Sequence, residues 1–267
     1  MFFGIKSAIA PLFAKASDEA ERVDEVLHGW LVQVLEEAAN NWALVRTDYD
    51  YEGWVEKKYL CPPLKQQATH YVNAVAADVL SEPKVQANVL ISLTLGCTVS
   101  IITDDEQAAE SWAKINLADG RCGFIRSSHL TPLPSMVAGL NLNRNALCDT
   151  ALKYRGAQYR WGGKTPLGID CSGLVFMAYR LNGFTIYRDA KIHPAFPIKQ
   201  PVTDCNRLKN DIKIARKGDL LYFPGHVGMF INEKFMLHSS ETRGGVSYEA
   251  LTPDWLSRIT AIGSLSV

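Results

Sequence analysis

Three residues have the types and spacing of a nucleophilic site: Cys171, His226 and His238. Cys171 follows a loop punctuated by Gly162, Gly163, Pro166 and Gly168, and it opens a predicted helix. Leu174, Val175, Ala178 and Leu181 form the apolar stripe of that helix, and Asn182-Gly183 stop it. Asp170 suits the N-cap, which puts the thiol in the first turn. Orphan backbone N–H groups and the positive end of the helix dipole meet there, so the sequence predicts a lowered thiol pKa and a reactive thiolate. A thiol needs a base, and the base needs a group to orient it.

Both partners lie downstream, 55 residues on at His226 and 12 further at His238. Gly218-Asp219-Leu220 enters a strand, and the apolar runs from His226 to Ile231 and from Lys234 to His238 read as a hairpin. A three-residue loop centred on Asn232 sets the histidines directly opposite each other, with Cβ atoms about 4.5–5.5 Å apart. The second imidazole then holds the first in its working tautomer. A two-residue loop slips the pairing by one residue and breaks that geometry.

These segments resemble the NlpC/P60 cysteine peptidases. The resemblance rests on Tyr159-x-Trp161-Gly-Gly, Asp170-Cys171-Ser172-Gly173, Gly218-Asp219-Leu220, His226-Val-Gly and the later polar residue His238. It covers about the last half of the chain. It implies a papain-like α+β catalytic domain with Cys171 as nucleophile, His226 as general base and His238 as orienter.

Composition is consistent with a globular chain. The 267 residues are 47% hydrophobic and 21% charged, with 28 basic and 28 acidic side chains. A balanced charge gives no basic footprint for a nucleic acid. No apolar run reaches the roughly 18 residues that span a bilayer. Lys6 interrupts the N-terminal apolar stretch and no basic region precedes it, so this is a poor signal peptide and reads as a first strand. The six cysteines, Cys61, Cys97, Cys122, Cys148, Cys171 and Cys205, form no C-x-x-C pair, which argues against zinc and thioredoxin-like chemistry. Reduced thiols in a cytoplasm are expected, with a secreted or wall-associated location as the alternative.

The first half reads as two small barrels. Trp30-Leu-Val-Gln-Val-Leu, Trp42-Ala-Leu-Val and Glu52-Gly-Trp-Val are short runs separated by turns. Gly29, Trp42 and Gly53 are spaced by 13 and 11; Gly96, Trp112 and Gly123 follow the same order with 16 and 11. Cys61-Pro-Pro-Leu64 reads as a junction, Thr131-Pro-Leu-Pro134 as a stiff linker, and Asn143 to Tyr154 as a helix. The pattern resembles bacterial SH3-type domains. The expected organisation is multidomain: an SH3-type barrel over 1–66, a second over 67–134, and the papain-like catalytic domain over 135–267.

Two such barrels before an NlpC/P60 domain resemble the γ-D-glutamyl-L-diamino-acid endopeptidases that process murein peptides with a free N-terminal L-alanine. The resemblance implies that the first barrel closes one end of the substrate groove. It assigns Glu21, Tyr51 and Asp170 to the substrate ammonium, although Ala20 stands where the subgroup has serine. Tyr159, Trp161 and Ser172 are expected to line the groove. Arg188 and Asp189 are expected beside the substrate, with Arg188 suited to the α-carboxylate of D-glutamate; Ala190 and His193 depart from the family pattern. The expected substrate is a murein tripeptide or tetrapeptide, and the protein is expected to be a monomer with no cofactor, metal, nucleic-acid or membrane partner. A wall-binding protein with an inactive peptidase domain, and an amidase or acyltransferase on the same fold, are the alternatives.

Overall fold

The computed structural model describes residues 1–102, 111–134, 143–200 and 212–265. The chain forms two compact units, Met1–Leu133 and Pro134–Val267.

The first unit holds two seven-stranded antiparallel sheets. Its first sheet is built from β1 (Phe2–Ile5), β2 (Ile9–Phe13), β3 (Arg22–Leu27), β4 (Leu31–Glu37), β5 (Trp42–Thr47), β6 (Glu52–Glu56) and β7 (Leu60–Cys61). The second comprises β8 (His70–Val72), β9 (Ala76–Leu80), β10 (Val89–Thr94), β11 (Thr98–Ile101), β12 (Trp112–Asn116), β13 (Cys122–Arg126) and β14 (Leu130–Pro132). The spatial orders are β3-β2-β6-β5-β4-β1-β7 and β10-β9-β13-β12-β11-β8-β14. Each strand of the second sheet takes the place of the strand seven earlier, so the repeat in sequence is a repeat in topology. The N-terminal stretch predicted as one strand makes two, because Lys6-Ser7-Ala8 breaks the run.

The two sheets join through specific polar contacts. Trp30 Nε1 donates to the Gly96 carbonyl at 3.0 Å, and the Thr98 N–H donates to the His28 carbonyl at 2.8 Å. His28 is fully buried between them: its Nδ1 lies 3.0 Å from the Lys6 carbonyl, and its Nε2 accepts from the Ala118 N–H at 3.0 Å.

The second unit is α+β. It begins with α1 (Arg144–Leu152), capped by the Asn143 side chain. A short hairpin, β15 (Lys164–Thr165) and β16 (Gly168–Ile169), leads into α2 (Cys171–Arg180). Every residue of α2 from Cys171 to Tyr179 is buried. The predicted apolar stripe is therefore part of a helix enclosed all round, as the mostly apolar run Leu174–Ala178 allows. It packs against α1 and against a six-stranded sheet of order β17-β22-β18-β19-β20-β21. These strands are β17 (Ile198–Lys199), β18 (Leu220–Phe223), β19 (His226–Asn232), β20 (Phe235–Ser240), β21 (Gly245–Ala250) and β22 (Ala261–Leu265). Leu221, Phe223, Phe230, Met236 and Ile262 form an apolar cluster with Trp255 of the short helix α3 (Pro253–Ser257).

Candidate active site

Asp170 anchors the start of α2. Its backbone is extended, and its Oδ1 accepts from the Gly173 N–H at 2.5 Å and from the Ser172 hydroxyl at 3.0 Å. Its Oδ2 accepts from the Gly162 N–H at 2.8 Å, which ties the glycine loop to the helix. Arg188 closes the cluster: Nη1 donates to Asp170 Oδ1 at 3.1 Å and to Ser172 Oγ at 2.7 Å, and Nη2 donates to Asp170 Oδ2 at 2.9 Å. Gly173 is required by close approach, since a Cβ there would stand 2.2 Å from the Gly163 carbonyl oxygen.

This cluster involves two of the residues expected at the substrate. Asp170, expected at the substrate ammonium, has both of its oxygens engaged within the unit. Arg188, expected beside a substrate carboxylate, is 1% exposed and forks onto Asp170. A buried guanidinium needs a buried counter-charge, and Asp170 is that charge. Ser172 bridges the two, so it too belongs to the frame of the site.

The thiol sits at the end of that frame, 5% exposed. The Val227 amide lies near Cys171 and favours the thiolate. Val227 follows His226 in β19, so the sulfur lies against the strand that the candidate base begins. Burial nevertheless pushes the Cys171 thiol up to about 11, and the Asp170 carboxylate adds to the rise. The predicted lowering fails because desolvation of a nearly enclosed sulfur outweighs the helix end.

The histidines meet, but by a different route from the one predicted. The hairpin turns through Glu233 and Lys234, with Asn232 paired to Phe235. Taken alone, this two-residue turn would put the rings on opposite faces. A bulge at Ile231 shifts the register, so that Phe230 pairs with Met236 and Met229 with Leu237. Continuing that ladder places Gly228 opposite His238, with His226 one diagonal step away on the same face. Diagonal neighbours stay within reach of ring side chains. Gly228 leaves the intervening place open: a Cβ there would lie 2.8 Å from Met236 Sδ and 3.5 Å from His238 Cβ. His226 Nε2 is 2.9 Å from His238 Nδ1, and the rings cross at 78°.

Burial pushes both imidazoles down to about 4. For His226, His238 and Arg258 lower it further; for His238, the Glu249 carboxylate opposes the fall. At neutral pH the resting site therefore holds a neutral thiol and neutral imidazoles. Such a pair works by moving the proton from sulfur to nitrogen as the nucleophile attacks.

The other expected residues are dispersed. Tyr159 is half-buried and is raised by burial and then by the nearby Cys171, which sets its hydroxyl in the neighbourhood of the sulfur. Trp161 is exposed, suited to a groove wall. Asp189 lies beside Tyr187, which stacks on His193 at 4.7 Å. In the first unit Glu21 is exposed, while the Tyr51 hydroxyl donates to the Val23 carbonyl at 3.4 Å. Asp24, Glu25 and Tyr49, which carried no assigned role, are the buried polar groups of that region. The Tyr49 hydroxyl donates to Asp24 at 2.6 Å, and Arg22 pairs with Glu25. Their signal was available: Asp24-Glu25 takes the place of Ile91-Ser92 in the second barrel. Cys205 lies outside the described residues. Among the described residues there is no cluster of three or more His, Cys, Asp or Glu side chains suited to a metal, and no helix is long and apolar enough to cross a membrane.

Residues 156–263 match the NlpC/P60 family, and residues 12–60 match the bacterial dipeptidyl-peptidase SH3 domain. Dipeptidyl-peptidase 6 of Lysinibacillus sphaericus is 39% identical over 96% of this chain and 97% of its own length. Gamma-D-glutamyl-L-lysine dipeptidyl-peptidase of Bacillus subtilis (strain 168) is 26% identical over 76% of this chain and 64% of its own. A crystal structure of an NlpC/P60 family protein from Bacillus cereus ATCC 10987 shares the fold, with a TM-score of 0.80 at 19% identity and 98% coverage of each chain.

Proposed function

This chain belongs to the NlpC/P60 family of cysteine peptidases, and we propose that it hydrolyses the γ-D-glutamyl–diamino acid bond of murein stem peptides with a free N-terminal L-alanine. The observation that carries this reading is the hydrogen-bonded pair His226–His238, with His226 opening the strand that passes beside Cys171. Its substrate side is supported by relatives named dipeptidyl-peptidase, one of them for a γ-D-glutamyl-L-lysine bond.

Cys171 Sγ attacks the γ-carbonyl carbon as its proton passes to His226. Backbone N–H groups at the start of α2, with the Tyr159 hydroxyl, stabilise the oxyanion. His226 returns the proton to the leaving amine of the diamino acid as the C–N bond breaks. A water, deprotonated by His226, then opens the thioester and releases L-alanyl-D-glutamate, and the thiol regains its proton.

Glu21 and Tyr51 of the first barrel are proposed to select the free amine by charge and by blocking longer chains. A cytoplasmic setting and a role in recycling murein peptides complete the reading. Mass spectrometry of L-Ala-γ-D-Glu-meso-diaminopimelate after incubation with the protein tests it. Release of L-Ala-D-Glu from the free peptide but not from its N-acetyl form is expected. Equal cleavage of both removes the amine preference, and cleavage of neither removes the substrate.

A further inference from the structure

The histidine pair leaves one bond unmade. His238 is fully buried, its Nδ1 faces His226, and its Nε2 has no hydrogen-bond partner. For His226 to accept a proton at Nδ1, its Nε2 must already carry one, and that N–H donates to His238 Nδ1. A neutral His238 that accepts at Nδ1 holds its own hydrogen at Nε2. The carboxylate facing that nitrogen is Glu249, with Oε2 3.7 Å away.

The sheet register puts Glu249 there. His238 pairs with Ser247 and Met236 with Glu249, so Glu249 shares the face of His238, two residues along. His226, His238 and Glu249 thus step diagonally across β19, β20 and β21. Arg243 fixes the carboxylate as a fork, Nε to Oε2 at 2.8 Å and Nη2 to Oε1 at 2.9 Å. The Trp255 ring covers His238 at 5.7 Å and His226 at 6.1 Å. The charged groups facing the pair are Glu249 and Arg243 towards His238, and Arg258 towards His226.

We propose that Glu249, braced by Arg243, is a positioning residue that fixes the tautomer of His238 and through it the tautomer of His226. A carboxylate only accepts, so it selects the Nε2–H form of His238. The opposite form would place a hydrogen on Nδ1 and force His226 to accept at Nε2. His226 would then carry its hydrogen at Nδ1 and could not take the thiol proton there. Burial keeps both rings neutral, so the choice is between tautomers and not between charge states.

The inference rests on the reading of Cys171 and His226 as nucleophile and base, but not on the substrate. Its test therefore uses no peptide: nitrogen-15 NMR of the histidine rings, and the rate of iodoacetamide alkylation at Cys171 followed on its tryptic peptide from pH 5 to 9. In the wild type, His238 should show a protonated Nε2 and an accepting Nδ1. Glu249→Leu should mix the tautomers of both rings and slow alkylation by about tenfold, the scale of losing an outer-shell partner of an imidazole. Glu249→Gln keeps an acceptor and should remain within about threefold of the wild type. Unchanged ring shifts in Glu249→Leu, or a rate within twofold of the wild type, would overturn the proposal. Should the leucine variant fail to fold, Glu249→Asp decides: its shorter arm withdraws the acceptor, and unchanged shifts and rate again overturn it. Failure of peptide hydrolysis with these ring shifts intact would count against the substrate alone.

Discussion

His28 and His238 are both fully buried histidines, and they differ in what their second nitrogen does. His28 is saturated: Nδ1 donates to Lys6, Nε2 accepts from Ala118, and both partners are backbone. A proton added to Nε2 would face another N–H, so this ring has one state and pins two sheets together. His238 has one bond to a second imidazole and a carboxylate beyond hydrogen-bond distance. No backbone group locks its hydrogen to one nitrogen, so that choice falls to the Glu249 carboxylate, and its partner changes state during a reaction. Burial alone does not separate a structural histidine from a working one; the saturation of the ring does.

The contrast breaks most visibly at the base. His226→Ala and Cys171→Ala should each lower kcat/KM on the murein tripeptide by about a thousandfold or more, while the fold persists by circular dichroism. His28→Leu should leave kcat/KM within about twofold in the folded protein. If His28→Leu matched His226→Ala in activity, saturation would have no diagnostic value.

Removing the orienter comes next. His238→Gln should keep measurable turnover, reduced by roughly ten- to a hundredfold, because an amide still bonds His226 Nε2. An effect as large as that of His226→Ala would make His238 a proton carrier and not an orienter.

Stability sharpens the comparison from the other side. His28→Leu leaves the Lys6 carbonyl and the Ala118 N–H without partners, at about 1–3 kcal/mol each. Denaturant unfolding of the first unit should record that loss, with no matching loss for His238→Gln. Equal destabilisation by both would give the two rings the same structural weight.

The smallest effect concerns pH. Because His226 is held near 4, the acid limb of kcat/KM should fall near pH 4 and not near the ordinary imidazole value of 6.5. The same shift affects folding. The unfolded chain takes up protons at His226 and His238 below 6.5, while the folded chain refuses them until about 4. Stability is therefore lost as pH falls from 6.5 to 4 and levels off below. Thermal melts across that range should show a shallower decline in the double variant His226→Ala, His238→Gln.

The barrels repeat the lesson at the level of whole elements. Their strand orders are the same, yet Asp48-Tyr49-Asp50-Tyr51 at the first tip stands where Ala118-Asp119-Gly120-Arg121 stands at the second. Asp50 and Gly120 share a positive φ, so the backbone of the turn is common to both and the side chains are free to differ. The repeat was legible because glycine and tryptophan spacing reflects turn geometry and sheet packing, which are local.

What the sequence determined by itself was local as well. Asp170 before an apolar run sets an N-cap and delivers Cys171 to the first turn of a helix; alternation and turn residues set the hairpin that carries both histidines. The tertiary structure decided the rest. It placed a bulge at Ile231 that restored the shared face, and it left room at Gly228 for the rings to meet diagonally. It enclosed Arg188 against Asp170 and raised the thiol pKa that the helix end was expected to lower. Register and desolvation depend on what packs alongside a strand or a charge, and a linear pattern holds no record of that neighbour until the chain has folded.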